Sequence, residues 1–100
     1  MLKITRWFQG SATCAGERLT GNIREPGEAP AHCLLMVLPY FEGAEVRGCA
    51  IIERHFGARA CRCVGAGPAT RIVHFNNHPE TTREDVDKVL RIFDEERGRP

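Results

Sequence analysis

The clearest hydrophobic pattern lies near the C-terminal end of the sequence. Apolar residues recur there with the i, i+3, i+4, i+7 spacing of one helix face: Val86, Val89, Leu90 and Phe93. Thr81 and Thr82 each stand three positions before an acidic residue, which is the capping-box arrangement at a helix start. Gly98 supplies a typical stop. The pattern therefore predicts a helix that begins near residue 82 and packs its apolar face on a core.

A second helix is predicted over residues 44–56. Most apolar side chains of this segment fall broadly on one side, and Gly57 follows it in the position of a C-terminal cap. Gly48 lies inside the segment and is expected to weaken the helix, because glycine has a low helix propensity.

Three further segments are typical of strands. Residues 33–38 form a continuous apolar run before Pro39, as in a strand that is buried on both faces. Residues 59–64 alternate arginine with small apolar residues, and residues 69–75 are rich in β-formers after a GAGP turn. The order from residue 33 is then β-α-β-β-α. This order predicts an α+β fold, in which a small sheet has helices packed on one face.

The first third of the chain is predicted to be a short β-rich segment. Residues 2–8 contain β-formers with alternating character, and residues 17–25 could form a second strand or a tight turn at Gly21 and Asn22. Residues 26–30, PGEAP, read as a loop or linker. We therefore divide the chain into an N-terminal segment, 1–30, and an α+β domain, 31–100.

Composition narrows the choice of partners and location. The chain has 100 residues and a formal net charge of +1, so no overall field attracts nucleic acid or an anionic membrane, and neither partner is expected. The longest apolar run, 33–38, is far too short to span a bilayer. Five cysteines form no regular framework, and no apolar signal sequence follows the N-terminus. We expect reduced thiols in the cytoplasm.

The C-terminal part of the chain resembles the small domain of fold-type I pyridoxal-phosphate enzymes, in the class V aminotransferase and cysteine desulfurase group, with threonine aldolases next. In those families an arginine-bearing strand runs into a capped helix. The matching residues here are Thr70-Arg71-Ile72-Val73 and Thr81-Thr82-Arg83-Glu84-Asp85-Val86-Asp87. The resemblance extends over residues 33–96.

The resemblance implies roles for three residues. Arg71 corresponds to the arginine that binds the substrate's α-carboxylate, a task that suits a planar guanidinium. Cys61 or Cys63 stands near the position of the mobile catalytic thiol of desulfurases. The Schiff-base lysine, the pyridinium partner and the phosphate cradle are not identifiable here. The chain is therefore not expected to be catalytic alone or to bind pyridoxal phosphate unless it joins a large domain. Its expected partner is such a domain or an oligomer mate, in a transferase or lyase.

A metal site is an alternative. Cys61 and Cys63, followed by His74 and His78, offer the thiolates and imidazoles of a structural zinc site. The single residue between the cysteines, on a predicted strand, argues against tetrahedral reach, and His78 follows a turn predicted at Asn76 and Asn77. We therefore expect no metal, with His74 packing in a strand. The alternative function is a free-standing binding or protein-interaction module, with or without a structural zinc.

Overall fold

The computed structural model describes residues 2–14, 16–17, 21–39 and 42–97, and these combine helices and short strands in an α+β fold, as predicted. The strands, in chain order, are β1 (Phe8–Gln9), β2 (Ala12–Thr13), β3 (Gly16–Glu17) and β4 (Ile23–Arg24). The helices are α1 (Leu34–Val37), α2 (Ala44–Phe56), α3 (Pro68–Asn77) and α4 (Arg83–Arg97), with a 3₁₀ turn at Gly57–Arg59.

Helices α2 and α4 form where the hydrophobic pattern predicts them. Helix α4 buries its predicted apolar face, and Thr82 and Asp85 form the capping box at its start. In this box the Thr82 amide donates to the Asp85 carboxylate over 2.9 Å. The predicted stop at Gly98 lies outside the described residues.

The three predicted strands after residue 33 are wrong, and so is the order β-α-β-β-α. Residues 33–38 contain helix α1, residues 69–75 belong to helix α3, and residues 59–64 leave the 3₁₀ turn and continue as a loop. Short apolar runs do not distinguish a buried strand from a buried helix. Tertiary packing decided for helix in α3, where Ile72 and Phe75, three positions apart, are both fully buried.

The described β structure is confined to the N-terminal part of the chain. Strand β1 pairs antiparallel with β4, and β2 pairs antiparallel with β3. The predicted strand over residues 2–8 is reduced to its last residue plus Gln9, with a parallel bridge between Trp7 and His32. Part of the predicted strand at 17–25 lies outside the described residues.

One hydrophobic core joins the helices to the N-terminal segment. Ile4 and Trp7 are buried in the same cluster as Ile72 and Phe93. The division of the chain into two parts at residue 30 stays a prediction. Gly48 has a packing role in this core. A Cβ atom at this position would lie 3.2 Å from the side chains of both Ile72 and Leu38, so the glycine allows α2 to pack closely on α3.

A buried amide network stands at the C-terminal end of α3. The Asn76 Oδ1 atom accepts hydrogen bonds from Trp7 Nε1 at 2.7 Å and from the Leu34 amide at 3.0 Å. Its Nδ2 atom donates to Phe8 O and to Asn77 Oδ1, each at 2.9 Å. Every polar group of this fully buried side chain is thus paired. We call these contacts the Asn76–Asn77 network. The two asparagines end a helix, whereas the sequence predicted a turn.

The same network fastens the N-terminal strands to α3. The Gly10 amide donates to Asn77 Oδ1 over 2.8 Å, and Asn77 Nδ2 donates to Ala12 O over 2.9 Å. The Gln9 side chain donates to the Asn76 carbonyl over 2.9 Å. These bonds place the β2–β3 hairpin beside α3.

Candidate metal centre

Four side chains with metal-ligating atoms converge between the β2–β3 hairpin and α3. Cys14 lies in the hairpin turn, Cys61 and Cys63 lie in the loop before α3, and His74 lies on α3. Their ligand atoms all lie within 4.8 Å of one another. We call this group the thiol–imidazole cluster.

The three nitrogen-to-sulfur distances within the cluster fit one tetrahedral ion. His74 Nδ1 lies 3.5 Å from Cys14 Sγ, 3.5 Å from Cys61 Sγ and 3.6 Å from Cys63 Sγ. A tetrahedral zinc ion, with Zn–S near 2.3 Å and Zn–N near 2.0–2.1 Å, places nitrogen and sulfur about 3.5 Å apart. All four positions around such an ion would be filled by protein, as in structural rather than catalytic zinc sites.

The loop that contains Cys61 and Cys63 is held by hydrogen bonds. The Cys63 amide approaches Cys61 Sγ at 3.5 Å. Arg71, one turn before His74 on α3, donates from Nη1 to Cys61 O over 2.8 Å and from Nε to Ala66 O over 3.0 Å. Arg71 therefore contacts the backbone at both ends of the segment 61–66.

The thiols of Cys61 and Cys63 differ in their affinity for a proton. Burial raises the pKa of Cys61, but hydrogen bonds from the Cys63 amide and from the Cys14 and Cys63 thiols, with the charge of Arg71, bring it below its usual value. The pKa of Cys63 is raised to about 11, first because its thiol hydrogen-bonds to Cys61 and then to Cys14. Metal binding would replace the protons of the ligating thiols.

Cys49 lies outside the cluster although it is close to the same loop. Its thiol donates to the Pro68 carbonyl at 3.3 Å. Burial raises its pKa, an effect that the charge of Arg71 partly opposes. Cys49 is therefore a protonated packing residue rather than a fifth ligand.

The structure brings together three of the four residues of the sequence-based metal alternative. His78 is not in the cluster; its Nδ1 accepts a hydrogen bond from the Glu80 amide at 3.0 Å. Cys14 takes the fourth place, although it precedes His74 by 60 positions. Cys61 and Cys63 lie in a loop and not on the predicted strand, so strand geometry does not limit their reach around one ion.

Cys14 carries no local signal that sequence reasoning could have used. It stands in a turn, far from the other ligands, and no ligand spacing connects it to them.

Arg71 lies on helix α3 and not on the strand that the sequence predicted. Its guanidinium is engaged with the carbonyls of Cys61 and Ala66. Its role as a ligand of a substrate carboxylate stays a prediction, as does a catalytic role for Cys61 or Cys63.

No protein-family model, curated protein or solved structure matches this chain. The resemblance to pyridoxal-phosphate enzymes stays a prediction. None of the helices in the described part of the chain has the length and apolar character needed to cross a bilayer.

Proposed function

We propose that this chain is a small zinc-binding module, in which one Zn²⁺ is held by Cys14, Cys61, Cys63 and His74. The observation that carries the proposal is the near equality of the three distances from His74 Nδ1 to sulfur, 3.5, 3.5 and 3.6 Å. The ion joins the N-terminal hairpin to α3. It therefore has a structural role, which is to hold the hairpin against α3.

The ligand types support zinc over the common hard cations. Thiolates and a neutral imidazole in tetrahedral array suit zinc, whereas magnesium and calcium prefer oxygen ligands. A catalytic zinc site keeps one position for water or substrate, and here the protein supplies four ligands. We therefore propose that the module acts by binding a partner and performs no reaction at the ion.

A reducing compartment suits this module. None of the five cysteines is in a disulfide, and the proposed ligands must be free thiolates to hold the ion. We propose a cytoplasmic location.

The first test is metal content and cobalt binding of the purified chain. We expect one zinc ion per chain by elemental analysis, and a Co²⁺ complex with the visible spectrum of a tetrahedral thiolate site. Cys14→Ser should weaken zinc binding on the order of 100-fold, because a neutral hydroxyl replaces a thiolate ligand. Cys33→Ser is the matched control, since Cys33 lies outside the cluster. A wild-type chain that binds neither metal, or that is purified with iron, would overturn the proposal.

A pair of histidine variants separates the structural site from the sequence-based alternative. His74→Asn should abolish tight zinc binding, whereas His78→Asn should leave it within about twofold, because His78 is not in the cluster. The reverse result would show that the ion uses His78 instead.

The second proposal is that the chain is the small domain of a fold-type I pyridoxal-phosphate enzyme, joined to a large domain or an oligomer mate. The capping box of α4, within the quoted resemblance, favours it. A detached small domain would expose the surface that its large domain covers. Well-dispersed ¹H–¹⁵N NMR peaks from the zinc-loaded chain alone would count against this proposal, whereas collapsed peaks with and without zinc would support it.

A further inference from the structure

We infer that Arg71 is the positioning residue of the metal centre: it holds the loop 61–66 so that Cys61 and Cys63 face His74, and it places a positive charge beside the ion. This inference rests on the proposed zinc site, because it concerns how the same ion is held.

The geometry of Arg71 is that of a clamp. Nη1 donates to Cys61 O over 2.8 Å and Nε donates to Ala66 O over 3.0 Å, so one planar group bridges two carbonyls that flank Cys63. Arg71 and His74 are three positions apart on α3 and therefore lie on the same helix face. One rigid helix thus supplies both a ligand and the clamp on the loop that supplies two more.

The loop needs such a clamp because its own sequence gives little rigidity. Gly65 has φ +77°, in the left-handed region, and Gly67 follows two positions later. The Ala66 amide closes a turn onto Cys63 O at 3.3 Å. Glycine-rich segments lose more conformational entropy when they are ordered, so a side chain that fixes both ends of the loop favours the ligating geometry.

The charge of the proposed centre gives a second reason for an arginine at position 71. Three thiolates, a neutral imidazole and Zn²⁺ together carry a net charge of −1, and a nearby guanidinium offsets this charge in a partly buried site. Lysine would keep the charge but could not bridge two carbonyls with a planar fork. Geometry and charge can therefore be separated by substitution.

Arg62 is a natural control in the same loop. It stands between Cys61 and Cys63 in sequence, but its guanidinium pairs with Glu53 at 2.6 Å and with the Gly57 carbonyl at 3.1 Å. Arg62 is exposed, and both of these partners lie outside the segment 61–66 that Arg71 contacts. Its replacement tests whether any arginine of this loop affects the ion.

The experiment compares Arg71→Met, Arg71→Lys and Arg62→Met by competition with a zinc chelator and by the Co²⁺ absorption spectrum. We expect Arg71→Met to weaken zinc binding about 10- to 100-fold, the range found when groups that orient metal ligands are removed. Its Co²⁺ bands should shift, because the thiolate geometry changes. Arg71→Lys should recover part of the affinity, and Arg62→Met should stay within twofold of the wild type.

The outcomes separate this inference from the proposed function. If the wild-type chain binds no metal, the zinc module itself fails. If the wild type binds zinc but Arg71→Met keeps both its affinity and its Co²⁺ spectrum, only the positioning role fails. Should Arg71→Met not fold by circular dichroism, Arg71→Lys decides, since an unchanged spectrum and affinity in that variant would overturn the inference.

Discussion

The Asn76–Asn77 network and the thiol–imidazole cluster both attach the N-terminal segment to α3, but they do so with opposite chemistry. The network is complete within the protein, since each polar group of the Asn76 side chain has a partner. The cluster instead directs three sulfur atoms and one ring nitrogen at a common point. Such a set of lone pairs can be satisfied only by protons or by a cation. The first attachment therefore needs no ion, whereas the second depends on the metal concentration and the pH of the solution.

The largest expected effect comes from breaking the network. Asn76→Ala leaves buried partners such as Trp7 Nε1 and the Leu34 amide unpaired, and each unpaired group costs about 1–3 kcal/mol. We expect a loss of about 4 kcal/mol in the free energy of unfolding, measured by urea denaturation. The loss should be the same with and without zinc. Asn22→Ala, at an exposed position, is the control and should change stability by less than about 0.5 kcal/mol.

Metal removal should have the next largest effect, and a local one. At free zinc about 100-fold above the dissociation constant, binding stabilises the folded state by at most about 3 kcal/mol, so a chelator should lower Tm by up to roughly 15 °C. Amide exchange should rise first in the β2–β3 hairpin, which the ion holds through Cys14, while amides of α2 stay protected. An equal rise in α2 would show that the ion supports the whole core rather than the hairpin.

Asn77→Ala tests whether the two attachments cooperate. Asn77 hydrogen-bonds to Gly10 and to Ala12, and Ala12 lies two residues before Cys14. Loss of the Asn77 side chain should therefore lower the free energy of unfolding by about 2 kcal/mol and weaken zinc binding several-fold. A double-mutant cycle with Cys14→Ser measures the coupling. Strict additivity of the two changes would show that the two attachments act independently.

The smallest expected effect concerns an acid-sensitive pair that belongs to neither region. Burial tends to raise the pKa of Asp85, but the Arg59 guanidinium at 2.7 Å and the Thr82 amide bring it below its usual value of 3.8. Asp85 therefore binds its proton more tightly in the unfolded chain than in the folded one. The stabilisation that its ionised carboxylate gives to the fold is present above about pH 4 and is lost as the pH falls toward the folded-state pKa.

Asp85→Asn should therefore cost about 1–2 kcal/mol at pH 7 and make the loss of stability below pH 4 shallower. Asp87→Asn is the control, because its bond to Arg83 at 3.1 Å is an exposed i,i+4 pair worth less than about 0.5 kcal/mol. Urea denaturation across this pH range checks both. Parallel pH profiles for wild type and Asp85→Asn would contradict the assignment.

Two helices could be predicted from the sequence because the features that define them lie within or next to the helical segments. In α4 an apolar repeat and a capping box agree, and in α2 the apolar side and Gly57 mark both its face and its end. In α3 the local signals conflict. Its β-branched and aromatic residues favour a strand, but Pro68 follows Gly67 as the first helical residue, and burial of Ile72 and Phe75 on one face decides for a helix.

The candidate site was only partly accessible to sequence reasoning for the same reason. The sequence spacing suggests a metal site at Cys61, Cys63 and His74. The incorrect strand prediction at residues 59–64 counted against it. Cys14 is placed by the Asn77 side chain, which donates to Ala12 O and accepts from the Gly10 amide, over 65 and 67 positions that no local pattern connects. Long-range polar contacts of this kind define the site.

Three of the four proposed ligands lie within the short stretch 61–74, and this has a consequence for the unfolded chain. A denatured polypeptide that keeps two thiols and an imidazole so close in sequence can still chelate zinc, though more weakly than the folded protein. Zinc should then stabilise the fold by less than its affinity for the native site implies. The difference between the two states resides mainly in Cys14, the one ligand that only folding brings to the ion.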